Sequence, residues 1–501
     1  LKSTKDVEKA TEQLENYLNS ISKKNETIFY GFLTDGIKCK EIISQNGTII
    51  SKSVLVNFSY VEALRLVKHI VSSYTTALSS KNLIKDFTNP ALGDISNSFS
   101  KKLFSILINN QTPKTKMLQA EWEQLFKLGH NDKSQQQRIE ERKKALEEVI
   151  GEKLKTSSEQ YLALFSLQTT YAIILKMISF RIISEKKFSK PLQSYNSVLR
   201  SDDLGLCSFC QKLEDGAIFR DLGIMNLLEG DFFSWYADQN QWDSSIADLI
   251  RKTLQILGRY ENTSTVFKSE DSLDIFKNLY QNIMPKSVRS SLGEFYTPEW
   301  LAEHVFQSVK PKNKTWRGLD PCTGSGTFIL TMIKRVLEET KNETKDCQLN
   351  EVLRRIHGFD INPLAVLTSR INYFIKIAHL IPMNSSHLQI PIYLGDASYI
   401  PEKILLDDVD CLKYTIKSLK YPIEIIIPNS IAKNSQEFSE LMFNFEKKIK
   451  AQDVSGGIEL FLKKIPKSES KSIICKNIEK LVNDLVELER RNWNGIWARI
   501  I

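Results

Sequence analysis

The stretch GLDPCTGSGTFIL, residues 318 to 330, constrains the fold of this chain more than any other. Gly324 and Gly326 fall between a strand-like GLD and an apolar helical run, where backbone must turn sharply and pass close to a ligand. A dinucleotide fingerprint requires a third glycine three residues on, and Ile329 stands there instead. A P-loop requires a Gly-Lys-Ser/Thr ending, which is missing too. What remains is an acid, Asp320, at the carboxyl end of a strand and amide donors at a helix start.

Such a loop suits a zwitterion. Helix N-terminal amides favour a carboxylate while Asp320 receives an ammonium, and the amino-acid head group of S-adenosylmethionine offers both. Further on, HGFDINPLAV ends a second strand on Asp360, placed to accept hydrogen bonds from two ribose hydroxyls. IPIYLGD ends a third on Asp396, where a carboxylate can take an exocyclic adenine amine. Taken singly, each acid is equally a turn former or helix cap. Three acids ending three successive strands are more specific than any one of them.

The rest of the chain divides by pattern into a small α/β piece over 1–60, a mostly helical stretch over 61–285, and alternating strand and helix from about 286 onward. IFYGFLTDG reads as a strand closed by an Asp-Gly turn at Asp35 and Gly36. Residues 161 to 183 form the most apolar run, but Gln168, Lys176 and Arg181 interrupt it, so a buried helix is expected rather than a membrane span. Residues 193 to 212 are polar with turn formers and are expected to be a surface excursion. Beyond 397 the spacing loosens into an extended YPIEIIIPNS and two charged helices, the last over 475–491.

Seven cysteines without framework-like spacing suit a reducing, cytoplasmic setting, and the Cys207–Cys210 pair has no second pair at zinc-ligand spacing, so no metal site is expected. The formal charge of +8 permits a polyanionic partner without requiring one. Oligomeric state is open.

In order, GEFYTP, LDPCTGSGTF, GFDINP and GDAS resemble the adenine-specific DNA methyltransferases of restriction-modification systems. The resemblance implies a Rossmann-like, S-adenosylmethionine-dependent methyltransferase sheet and double-stranded DNA as partner. It also implies that Tyr296 and Thr297 close over the methionine end of the cofactor. Asp320 with Gly324, Ser325 and Gly326 would form the methionine site, Asp360 with Ile361 the ribose and adenine wall, and Asp396 with Ala397 the adenine amine site. Pro298 in the first turn of the next helix leaves Thr297 extended. Cys322 and Thr323 depart from the commonest family spelling of the loop.

The family's catalytic motif, Asn or Asp followed by two prolines and an aromatic residue, holds both amine hydrogens so that the nitrogen lone pair can attack the sulfonium methyl. No Asn-Pro-Pro or Asp-Pro-Pro occurs in this chain. Asn362-Pro363 continues into Leu364, and Pro428-Asn429 has the order reversed. No catalytic residue is therefore assigned. The chain is expected to be a fragment of a fused restriction-modification enzyme that binds cofactor without transferring methyl groups. The 1–60 piece resembles the end of a nuclease domain, EGDFFSWY a stretch of the helical connector, and RNWNGIWARII the approach to the catalytic strand. A methyltransferase for RNA, protein or a small molecule, or a non-catalytic cofactor-binding remnant, are the alternative readings.

Overall fold

The computed structural model describes residues 4–24, 28–45, 47–63, 66, 76–89, 94–129, 136–184, 195–228, 232–261, 275–309, 313, 315–382, 388–397, 399, 401–416, 422–433, 435–470 and 472–490. The RNWNGIWARII stretch and the first three residues of EGDFFSWY lie outside them.

Two compact units are present, one of Leu1–Ala77 with Arg259–Glu261, the other of Leu78–Gly258 with Asn262–Ile501. In the first, an amphipathic helix, Thr4–Lys24, lies on an antiparallel sheet of β1 (Ile28–Thr34), β2 (Lys38–Gln45), β3 (Thr48–Lys52) and β4 (Val56–Asn57). Gly31 sets that packing distance, since a Cβ there would lie 2.5 Å from a Leu18 methyl. The Asp-Gly turn forms as its residues dictate. Asp35 Oδ1 accepts from the amides of Ile37 and Lys38 at 2.8 and 2.7 Å, and Gly36 takes a φ of +88°. A short parallel pair, β5 (Thr76–Ala77) with β6 (Tyr260–Glu261), belongs to the same unit.

The second unit is built first around the Ser157–Ser184 helix, buried along nearly its whole surface. The polar residues that interrupt its apolar run are each satisfied by protein. Gln168 Oε1 accepts from the Trp122 indole at 2.9 Å, Lys176 pairs with Glu214, and Arg181 Nε donates to the Leu257 carbonyl at 3.0 Å. Tyr236 donates a further bond to Glu214 at 2.8 Å. Buried polar groups need such partners, so this is a core helix of a packed domain.

The expected surface excursion at 193–212 is corrected in part. Residues 203–214 form a helix, Asp203–Glu214, capped by Asp202, and its Leu206, Cys207, Phe209, Cys210 and Leu213 are buried. The polar residues that suggested a loop occupy its cap and outer face. Both cysteines sit on the buried face, where burial pushes their thiols up, and Cys207 Sγ lies 3.5 Å from the Ala237 carbonyl.

A parallel sheet follows, ordered β7 (Gly318–Asp320), β8 (Ile356–Asp360), β9 (Ile392–Leu394). Asp320 stands opposite Gly358, and Asp360 opposite Leu394. Helices Thr327–Glu339 and Lys345–Arg355 carry the chain from β7 to β8, and Pro363–Ile377 from β8 to β9. Parallel pairing requires such crossovers. Buried Arg355 closes the first, donating to the Trp316 carbonyl at 2.9 Å and to Glu339 at 2.8 Å.

Past this sheet the structure departs from expectation. An antiparallel sheet, β10 (Glu402–Leu406), β11 (Val409–Ile416) and β12 (Ile423–Pro428), is covered by three helices, Ser435–Lys450, Val454–Lys464 and Ser472–Arg490, where two were expected. The β10–β11 hairpin turns on Asp407 and Asp408, both at positive φ (45° and 63°), the geometry of a two-residue hairpin loop without the usual glycine. Phe445, Phe461, Ile474, Ile478 and Val482 fill the core between sheet and helices.

Candidate functional site

The carboxyl ends of β7 and β8 meet the loop 321–326. Thr323 donates its amide to the Phe359 carbonyl at 2.9 Å, which lays the loop across the end of β8. Gly358 permits this, because a Cβ there would lie 2.3 Å from the Thr323 methyl. Gly324 and Gly326 take φ values of +53° and +92°, a region that L side chains rarely adopt. At Gly326 a Cβ would also fall 2.8 Å from Ser369 Oγ. Gly326 caps the Thr327–Glu339 helix, and Asn372 holds the neighbouring Ser325 carbonyl at 2.8 Å.

Asp320 is buried and accepts from the Cys322 amide at 3.2 Å. Asp360 joins three pieces of chain. Its Oδ2 accepts from the Gly324 amide at 2.8 Å, its Oδ1 from the Asn362 amide at 2.8 Å, and its backbone carbonyl from Gly395 at 3.0 Å. Burial pushes both carboxyls above the usual carboxylate range. β9 stops at Leu394, so Asp396 and Ala397 lie just past the strand and are exposed, whereas Ile361 is half-buried. The exposed Cys322 thiol registers all three acids: it is pushed up by desolvation first, then by Asp360, Asp320 and Asp396.

The corner 293–298 stands over the loop. The Tyr296 ring would be 3.8 Å from a Cβ on Gly324, and it packs edge-on against Tyr280 at 5.3 Å. Thr297 is half-buried, and its carbonyl accepts from Lys277 Nζ at 3.2 Å. The following helix is Glu299–Val309, with Pro298 just before it offering its carbonyl to Leu301 and Ala302. Tyr296, the glycine loop, Asp320 and Asp360 are thus brought together, and the Asp396 charge reaches the same loop.

Glu294 was not singled out in the sequence, and Asn362 was weighed there only as part of an incomplete catalytic motif. Glu294, inside GEFYTP, accepts from Tyr280 Oη and, at 2.9 Å, from Asn362 Nδ2. Burial first, and then the Asp360 charge, raise its carboxyl to about 7. Asn362 also caps the Pro363–Ile377 helix by accepting from Leu364 at 2.9 Å. An acid beside an apolar aromatic corner was the available signal for Glu294. Nothing local marks its partner. Among the described residues, Thr323 Oγ1 and Ser369 Oγ are buried beside the loop without hydrogen-bond partners.

A model of the N-6 DNA methylase family matches residues 271–402. The Type II methyltransferase M.VspI of Vibrio sp. (strain 343) is 25% identical over 126 residues, 25% of this chain and 26% of that protein. Among solved structures, the cryo-EM structure of a DrdV–DNA complex is similar at 13% identity and a TM-score of 0.30, covering 76% of this chain and 32% of that one. A nuclease-deletion mutant of the Type ISP restriction-modification enzyme LlaGI, bound to a DNA substrate mimic, is similar at 16% identity and a TM-score of 0.32, covering 70% and 24%. The chain spans about a quarter of the length of the curated relative it matches. The match to the N-6 DNA methylase family model thus falls over the residues where the glycine loop, the strand-end acids and the aromatic corner lie.

Proposed function

We propose that the ends of β7, β8 and β9 form a site for S-adenosylmethionine, in a protein that methylates adenine N6 in double-stranded DNA as part of a restriction-modification system. The observation that carries this reading is the bond from Gly324 to Asp360 beneath the Tyr296 ring, which joins loop, acid and aromatic corner in one place.

The donor set fits the cofactor. Side-chain-free backbone at Gly324, the buried Asp320 and half-buried Asp360 carboxylates, and the unpartnered Thr323 and Ser369 hydroxyls are the chemistry a zwitterionic nucleoside calls for. Asp320 would hold the ammonium and the Ser325 amide the carboxylate, next to the N-terminus of the Thr327–Glu339 helix, while the Gly326 amide already donates to the Thr323 carbonyl at 2.7 Å and holds the loop's turn. Asp360 would take the ribose hydroxyls with lone pairs beyond those used by Gly324 and Asn362, with Ile361 as the adenine wall. Asp396 and Ala397 would meet the adenine amine, and Tyr296 and Thr297 would cover the methionine end. When bound, the cofactor supplies an electrophilic sulfonium methyl.

This chain contains no Asn-Pro-Pro or Asp-Pro-Pro to align an amine with that methyl. The proposal is therefore cofactor binding without methyl transfer by the chain as it stands. Isothermal titration with S-adenosylmethionine tests it: heat with the wild type that vanishes in Asp360→Ala supports the site, and no heat with the wild type refutes it. Transfer of labelled methyl to duplex DNA by this chain would overturn the second part.

A further inference from the structure

Glu294 lies 68 residues from Asn362 in sequence, yet their side chains are hydrogen-bonded at 2.9 Å. The Asn362 amide bonds Asp360 Oδ1 at 2.8 Å, and Asp360 Oδ2 accepts from Gly324 at 2.8 Å. On its other side Glu294 holds the hydroxyl of Tyr280, whose ring meets Tyr296. One unbroken chain of bonds therefore runs from the Ile275–Ile283 helix through the aromatic corner to the strand-end acid and the glycine loop. We propose that Glu294 is a positioning residue, which locks the aromatic corner, the end of β8 and the glycine loop into a single geometry before any ligand arrives.

The inference rests on the proposed cofactor site for its functional meaning, but the coupling is a property of the chain alone. Without Glu294 the side-chain amide of Asn362 loses this acceptor, and Tyr280 loses the carboxylate that holds its hydroxyl. A carboxylate is not required. In Glu294→Gln the amide oxygen accepts from Asn362, and the amide nitrogen donates to Tyr280 Oη, which can accept as well as donate. Alanine keeps neither bond.

The groups facing Glu294 are Tyr280, Arg289, Tyr296, Asn362 and Asp360, with Tyr171 and Tyr280 ringed against one another behind it. Among them Asp360 is the second acid, so the positioning contact also sets how closely two carboxyls approach. Preorganisation of this kind raises affinity by removing the ordering that binding would otherwise require.

The test uses the whole chain in two measurements. Amide hydrogen exchange of the ligand-free protein, read on peptides spanning 320–326 and 360–364, should be at least fivefold faster in Glu294→Ala and unchanged within twofold in Glu294→Gln. Tyr280→Phe, which keeps the ring and removes one bond, should give a smaller acceleration in the same peptides and serves if the alanine variant does not fold. Titration with S-adenosylmethionine should weaken about tenfold in Glu294→Ala and remain near wild type in Glu294→Gln. Unchanged exchange in both Glu294→Ala and Tyr280→Phe overturns the proposal, as does a glutamine variant as impaired as alanine. If exchange changes as expected while the wild type gives no heat, the positioning role is supported and the cofactor reading is what fails.

Discussion

Two three-stranded sheets follow one another in this chain, and they differ in the one property that matters for a site. In β7–β9 every strand runs the same way, so all three carboxyl ends lie at one edge, and the loops after them converge. In β10–β12 successive strands are antiparallel, so their ends alternate between edges. The first sheet brings the charges of Asp320, Asp360 and Asp396 to bear on one thiol, that of Cys322. The second gathers an apolar face under three helices. Parallel topology collects the candidate site residues, whereas antiparallel topology here builds an apolar core.

The largest effect that separates the two is a core deletion in the second sheet's cover. Phe445 is fully buried and packs at a right angle on Phe461 at 4.7 Å, so Phe445→Ala should cost about 3–5 kcal/mol in urea denaturation. If it also abolished S-adenosylmethionine binding under native conditions, the separation of roles would be broken. Gly326→Ala should be next. Its φ of +92° and its closeness to Ser369 impose strain of about 1–3 kcal/mol, and calorimetric binding should fall with it. Asp360→Asn keeps the shape but weakens acceptance from Gly324, and a loss of about tenfold in affinity, about 1.4 kcal/mol, is expected with little change in thermal midpoint.

A pH series sharpens the comparison further. The Glu294 carboxyl sits near 7 in the folded protein against an ordinary 4.5, so the folded state holds this proton more tightly than the unfolded chain. Its contribution to stability is fully present below about 4.5 and lost as pH rises through about 7. Asp320 and Asp360 act in the same direction, and Glu294→Gln removes only the first share. The thermal midpoint of the wild type should therefore drop more between pH 5 and 8 than that of Glu294→Gln. The smallest expected effect is on Cys322, whose thiol Asp396 helps to push up. Alkylation by iodoacetamide at pH 8 should quicken about twofold in Asp396→Asn, and an unchanged rate would remove Asp396 from the site.

Much of this arrangement was legible in the residues. Gly324 and Gly326 announce a tight turn because glycine takes positive φ at no steric cost, and both carry it. Asp35-Gly36 announces a hairpin because the aspartate oxygen satisfies the next amides itself. Interruptions by Gln168, Lys176 and Arg181 pointed to a buried helix, and their partners Trp122, Glu214 and the Leu257 carbonyl supply the reason. The Asp203–Glu214 helix escaped notice because its capping aspartates look like a turn, and the β10–β11 hairpin because two aspartates stand where glycine is the usual signal.

The amino-acid order alone determined the glycine loop, the acids at the strand ends and the alternation of strand with helix, since each depends on backbone preference or on burial repeating over a few residues. Only the tertiary structure decided that Glu294 meets Asn362 and that Gly324 meets Asp360, 68 and 36 residues apart. Local periodicity reports which side of an element is buried, but which side chain waits there is set by the order of strands in the sheet and the path of the crossovers between them.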